Sequence, residues 1–206
     1  MRSISGFPYA TLWEWRRTIS ELYAEVRSLD PVEGWHRWRR VRDRLFRDHP
    51  QSPLAPRERA PPSCLTYFEY DPSLRFTVDL DEVGDATTGT IAAAADDVVT
   101  LVPFARTRGL EQALGAELTL FWIEGYGGGV FLPFGDQTNG RESFGGGRYL
   151  LDTIKGADLG WTGEGRIVLD FNFAYHPSCA YADRWVCPLT PPRNRLERAI
   201  RAGERL

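Results

Sequence analysis

From residue 64 onward the chain breaks into short strand-like segments separated by turn signals, with no helix-length pattern between them. Neighbouring parallel strands need a crossover of a dozen or more residues, usually a helix. Without such crossovers the strands must pair antiparallel, in a barrel or a sandwich. In residues 74–80, Phe76, Val78 and Leu80 alternate with Arg75, Thr77 and Asp79, the period of a half-buried strand. Residues 89–94 and 98–104 read as two more strands joined near Asp96-Asp97. Residues 118–123 are apolar on both faces, as in a central strand. Gly127-Gly128-Gly129 turns the chain into a strand over 130–134. Asn139-Gly140 is a hairpin signal, with 141–152 returning as the partner. Another turn, 160–165, precedes a strand over 166–175.

The first fifty residues follow a different period. Leu12, Trp15, Ile19, Leu22, Val26 and Leu29 recur at steps of three and four, which places them on one helical face. Asp30-Pro31 supplies a cap and a first-turn proline for a second helix. Trp35, Trp38, Val41 or Arg42, and Leu45 continue a stripe that should stop before Pro50. The tryptophans could form a recognition surface, but docking against a core is the simpler reading. Residues 51–63, with four prolines, read as a connector that wraps rather than packs. The expected organisation is an N-terminal helical pair over 1–50, the connector over 51–63 and an antiparallel β domain over 64–206, forming one unit. The fold class is mainly β, an antiparallel barrel or sandwich with an N-terminal α-helical pair.

Composition narrows the function classes. The 206 residues are 42% hydrophobic and 26% charged, enough for a core without disulfides or structural metal. A formal charge of -3 argues against nucleic acid or a membrane surface as a general partner. The first ten residues lack the apolar run of a secretory signal, and Asp96 and Asp97 interrupt the mild stretch 91–105. Cys64, Cys179 and Cys187 make an odd count, expected as reduced thiols in a cytoplasmic protein. Lys155 is the only lysine, so Schiff-base or P-loop lysine chemistry has one place to occur.

The glycine runs do not complete a nucleotide motif. The 125–129 run lacks the last glycine of a dinucleotide fingerprint, and Gly145-Gly146-Gly147 is followed by Arg148, not by Lys and Ser or Thr. Close backbone approach is the better use of these glycines. Neither a Gly-x-Ser-x-Gly nor a His-Glu-x-x-His pattern is present.

If 166–175 is one strand, Asp170 and Asn172 share a face. Arg148, after the glycine run, is the expected two-point partner of Asp170. The arrangement is either a polar ligand site or a buried pin that holds the C-terminal loop. In the first case Arg148 binds an anionic group, Asp170 orients it or acts as a base, and Asn172 and Tyr175 donate hydrogen bonds. Tyr181, in the irregular stretch that follows, completes the ligand-binding set. That stretch also holds His176, Cys179 and Cys187. The C-x7-C spacing is not a usual zinc pattern, and His49 could join only through the fold. Packed thiols are the simpler reading. No metal or cofactor is expected.

Several blocks occur together: His49-Pro50-Gln51-Ser52-Pro53-Leu54, Gly145-Gly146-Gly147-Arg148-Tyr149-Leu150, Leu169-Asp170-Phe171-Asn172-Phe173-Ala174-Tyr175, Cys179-Ala180-Tyr181, Cys187-Pro188-Leu189 and Pro191-Pro192-Arg193-Asn194-Arg195-Leu196. In this order they resemble a bacterial and archaeal family catalogued as a domain of unknown function, over residues 38–204. The resemblance implies no activity, cofactor or partner. The chain departs from that pattern at Phe144, where tyrosine is usual, at His176, where asparagine is usual, and at Glu197, where proline is usual. The expected function is binding of a small polar or anionic ligand in a β-domain pocket. The rivals are a non-catalytic structural or interaction protein and a Cys/His redox or metal module.

Overall fold

In a computed structural model, residues 7–59, 65–83, 89–92 and 98–206 are described. Cys64, the Asp96-Asp97 turn and the end of the connector lie outside them. Helix α1 (Pro8–Val26) and helix α2 (Pro31–Asp48) form the N-terminal pair. Asp30 caps α2 by accepting hydrogen bonds from the Val32 and Glu33 amides at 3.0 and 3.4 Å. The helix ends at Asp48, and His49 before Pro50 is extended, as expected of a residue preceding proline. The connector differs from expectation. Ser52, Pro53 and Leu54 are buried, and the Ser52 hydroxyl donates to the Phe46 carbonyl at 2.6 Å. A segment with no periodicity still packs here because its backbone groups find local partners.

The strands are β1 (Thr66–Tyr67), β2 (Arg75–Glu82), β3 (Gly89–Ala92), β4 (Val98–Arg108), β5 (Thr119–Ile123), β6 (Gly129–Phe134), β7 (Arg148–Asp152), β8 (Ile167–Asp170) and β9 (Glu204–Arg205). Every pairing among them is antiparallel, in the order β7-β6-β5-β4-β2-β8, with β3 beside β4. Past β8, Tyr175 exchanges two backbone hydrogen bonds with Tyr149 of β7, at 2.8 and 3.1 Å. That bridge nearly closes the sheet into a barrel. Strands β1 and β9 pair separately and tie the C-terminus to the segment after the connector.

The central strands bury both faces. Phe121 and Phe131 join a core shared with Ile19, Leu22, Trp35, Trp38 and Leu45 of the helices. Their neighbours Leu120 and Leu132 join a second core with Val78, Leu169 and Phe171. The tryptophan stripe therefore docks inward, and Trp38 is completely buried.

Two expected strands are shorter than their patterns suggested. The return strand begins only at Arg148, because residues 141–143 all donate amide hydrogen bonds to the Thr138 carbonyl. The strand of 166–175 stops at Asp170, where a 3-10 turn, Phe171–Phe173, begins. Asp170 caps that turn by accepting from the Asn172 amide at 3.0 Å. A residue that can cap competes with continuation of a strand.

Candidate functional site

The Arg148 guanidinium does not meet Asp170. Its partner is Asp136, in the loop after β6, at 2.8 Å, and both side chains are fully buried. The same guanidinium donates to the carbonyls of Ile200 at 2.7 Å, Glu204 at 3.1 Å and Ala202. Gly147 makes this placement possible. At φ +93 a Cβ there would lie 2.1 Å from the Thr190 hydroxyl and 2.7 Å from the Phe134 carbonyl. Arg148 thus pins the C-terminal segment to the barrel. Burial lowers its pKa, and the Asp136 carboxylate opposes that shift.

Asp170 pairs instead with Arg75 of the adjacent strand, at 2.9 Å. Asn172 donates to Asp170 at 2.8 Å, so the two do cluster, but through the capped turn and not through a shared strand face. Asn172 also exchanges hydrogen bonds with the Asp71 backbone, 2.8 Å in each direction. Burial raises the Asp170 carboxyl, with Arg75 and Asn172 working against it. This second cluster fastens the segment before β2 to the barrel.

The remaining two candidates lie elsewhere, beside a cleft between the helical pair and the barrel. Helix α1 lines it with Trp15, Arg16, Ile19 and Tyr23, and helix α2 with Arg42 and Phe46. The barrel side contributes Lys155, Ala157, Tyr175 and His176. The cleft holds about 530 Å³ of empty space out to its mouth, of which about 50 Å³ takes the centres of water-sized molecules. That inner space exceeds the room needed by one water. Gly156, at φ +73, lets Ser20 of α1 approach so closely that a Cβ would lie 2.9 Å from its Cα. The close approach brings Lys155 against the helix.

Arg42 is the principal charge of the cleft. It follows Trp38 by one helical turn, so the tryptophan face that buries α2 carries a guanidinium inward. Its Nε donates to Glu204 at 2.9 Å, and its Nη2 is bonded to the same oxygen. The rings of Trp38, Phe46 and Tyr175 lie 5.0, 5.1 and 4.9 Å from its central carbon. Burial disfavours this charge most, but the Glu204 carboxylate and the surrounding Tyr67, Tyr181 and Tyr23 together outweigh it, and the pKa of Arg42 rises. The other Glu204 oxygen accepts from the His176 amide at 2.7 Å and the Tyr181 hydroxyl at 2.9 Å. Tyr181 therefore acts on the cleft through Glu204. Burial, and then the nearby Glu204, raise its phenol well above the ordinary value.

Tyr175 lines the cleft directly. Its hydroxyl is buried and has no hydrogen-bond partner among the described residues, whereas the Tyr23 hydroxyl accepts from the Trp38 indole at 3.1 Å. Burial holds the Tyr175 phenol well above its usual range, so it is a neutral donor. His176 is also neutral. Burial lowers its pKa to about 4, although Glu204 pulls it upward. Its Nε2 accepts the Phe144 amide at 3.2 Å.

The two described thiols face each other. The hydrogen bond from Cys179 lowers Cys187 to about 6 against the effect of burial, with help from the Cys179 and Ser178 amides and Lys155. Among the described residues no three His, Cys, Asp or Glu side chains gather as a metal-ligand set. Nor is any helix among them long and apolar enough to cross a membrane.

Sequence reasoning missed Asp136, Glu204, Arg16, Lys155 and Tyr23. A signal existed for Glu204, since an arginine on an otherwise apolar helical stripe requires a buried carboxylate. Asp136 sits in a loop without periodicity and left no comparable trace.

Known proteins bear on this arrangement in three ways. The family model described as "Protein of unknown function (DUF1684)" matches residues 63–205. The solution NMR structure of an uncharacterized protein from gene locus rrnAC0354 of Haloarcula marismortui is similar, with 32% identity and a TM-score of 0.57. That match covers 85% of this chain and 96% of the other. No curated protein matches. With more than half of its length matched by the family model, the chain belongs to the DUF1684 family of proteins of unknown function.

Proposed function

We propose that the cleft between the helical pair and the barrel binds a small oxyanion, a carboxylate or a phosphate. The observation that carries this reading is the Tyr175 hydroxyl, buried without a partner among the described residues in a cavity wall that Arg42 also lines. Buried polar groups are almost always paired, so an orphan donor beside a cation marks a place for an acceptor. The Arg42 Nε and Nη2 are engaged by Glu204, which leaves Nη1 for a ligand. Lys155 and Arg16 add positive charge at the mouth. In this reading Arg42 takes the role that sequence reasoning gave to Arg148, and Tyr175 keeps the donor role that it was given together with Asn172.

Isothermal titration with inorganic phosphate and with acetate tests this reading. Inorganic phosphate should bind saturably, with or without acetate binding as well, and Tyr175→Phe should weaken it by about tenfold, the worth of one hydrogen bond to a charged group. Equal binding by wild type and variant, or no binding at all, would remove the site. The rival reading, a non-catalytic structural protein, draws on the sealed Arg148–Asp136 and Asp170–Arg75 clusters. It predicts an unliganded cleft.

A further inference from the structure

The cleft continues into a second space. Arg16 and Lys155 form part of its wall and also line a neighbouring surface groove of about 820 Å³, open to solvent. The floor of that groove includes Trp13, 65% exposed, and Ile154, 41% exposed. Large apolar side chains left in water beside a charged passage mark surface available to a ligand. The two cations at the junction differ. Lys155 is paired with Asp152 at 2.9 Å, whereas Arg16 has neither an ion pair nor a side-chain hydrogen bond among the described residues. The junction therefore carries uncompensated positive charge between the Tyr175 hydroxyl of the cleft and an outer groove in which the exposed apolar side chains are Trp13 and Ile154, beside the Arg17–Glu21 ion pair.

Resting on the oxyanion reading above, we infer that the ligand is an oxyanion with an aromatic extension, an aryl phosphate or aryl carboxylate. Its charged head meets Tyr175 and Arg42, it passes between Arg16 and Lys155, and its ring lies on Trp13 and Ile154. An uncharged aromatic would leave Arg16 unanswered, and a bare inorganic anion would leave Trp13 and Ile154 in water. A ring stacked on Trp13 adds affinity without requiring any change in the inner cavity.

Calorimetric titration of the full chain with inorganic phosphate and with naphthyl phosphate decides the point. Naphthyl phosphate should bind about tenfold more tightly, the size of one aromatic contact. Trp13→Ala should abolish that advantage and leave inorganic phosphate binding unchanged, because Trp13 is outside the inner cavity. Equal affinity for the two anions, or an advantage that survives Trp13→Ala, would overturn the extension while the oxyanion site stands. Binding of neither anion would overturn the oxyanion reading, and this inference with it. Naphthyl phosphate binding that depends on Trp13 but ignores Tyr175→Phe would show the ring held without its head, and would also overturn the inference.

Discussion

Two buried arginine–carboxylate pairs hold the C-terminal segment, and they differ in what surrounds them. Arg148 and Asp136 are sealed, and three backbone carbonyls take further guanidinium donors. Arg42 and Glu204 are equally charged and nearly as buried, but Arg42 is stacked among rings and borders a cavity with an orphan hydroxyl. Burying a charge is costly in either place. At Arg148 the return is a fixed chain terminus. At Arg42 the same pair also leaves donor capacity beside empty space. An ion pair becomes a candidate site through the groups around it that remain unsatisfied.

The comparison breaks most readily at the sealed pair. Asp136→Asn leaves Arg148 charged without its counter-charge, and should cost about 3–5 kcal/mol in denaturant unfolding. The anion titration should be unchanged wherever the variant folds. A loss below about 1 kcal/mol would show that the three carbonyls suffice, and that the pin does not need the Asp136 counter-charge.

A pH series sharpens the other side. His176, held near 4 by burial, has its unfolded value near 6.5. Between these values the unfolded chain binds the extra proton, so the contribution of neutral His176 is complete above about 6.5 and is lost as pH falls toward 4. About two and a half units correspond to about 3 kcal/mol. His176→Asn should remove this dependence, so the wild-type minus variant stability difference should fall with pH across that window. A difference flat from pH 7 to about 4 would place His176 in water. Asp170, whose raised carboxyl has the opposite sign of dependence, is common to both proteins and cancels.

Asp170→Asn should be milder than Asp136→Asn, about 1–2 kcal/mol, because Arg75 is one-third exposed and water can solvate it. A cost equal to that of Asp136→Asn would mean that exposure does not separate the two clusters. The smallest effect concerns the thiols. Cys187 alkylation should accelerate with a midpoint below that of an ordinary thiol, and Cys179→Ser, which weakens the main stabilising hydrogen bond, should move that midpoint upward. Unchanged midpoints would separate the two sulfurs.

Which parts were legible in the sequence follows from what generates a pattern. The Leu12–Leu29 and Trp35–Leu45 stripes and the 74–80 alternation have periods of their own, and the helices and β2 lie over them, although α1 ends at Val26 and leaves Leu29 in the turn before Asp30. The Arg148–Asp170 pairing failed because the period-two argument ran past Asp170, where side-chain capping replaces the strand with a turn. Tyr175 and Tyr181 were named from the end of the expected strand and from the irregular stretch after it, yet their setting depends on Glu204, which a short terminal strand brings in from near the end of the chain. Contacts made by irregular segments carry no period, so most of the cleft became visible only in three dimensions.

The claim that one arginine serves a ligand and the other serves the fold can be read from both side chains in one experiment. Arginine side-chain 15N–1H spectra, recorded during titration with inorganic phosphate, report on Arg42 and Arg148 together. The account predicts saturable shifts of the Arg42 guanidinium signals and none at Arg148. Shifts at Arg148, or a titration in which neither arginine responds, would contradict it.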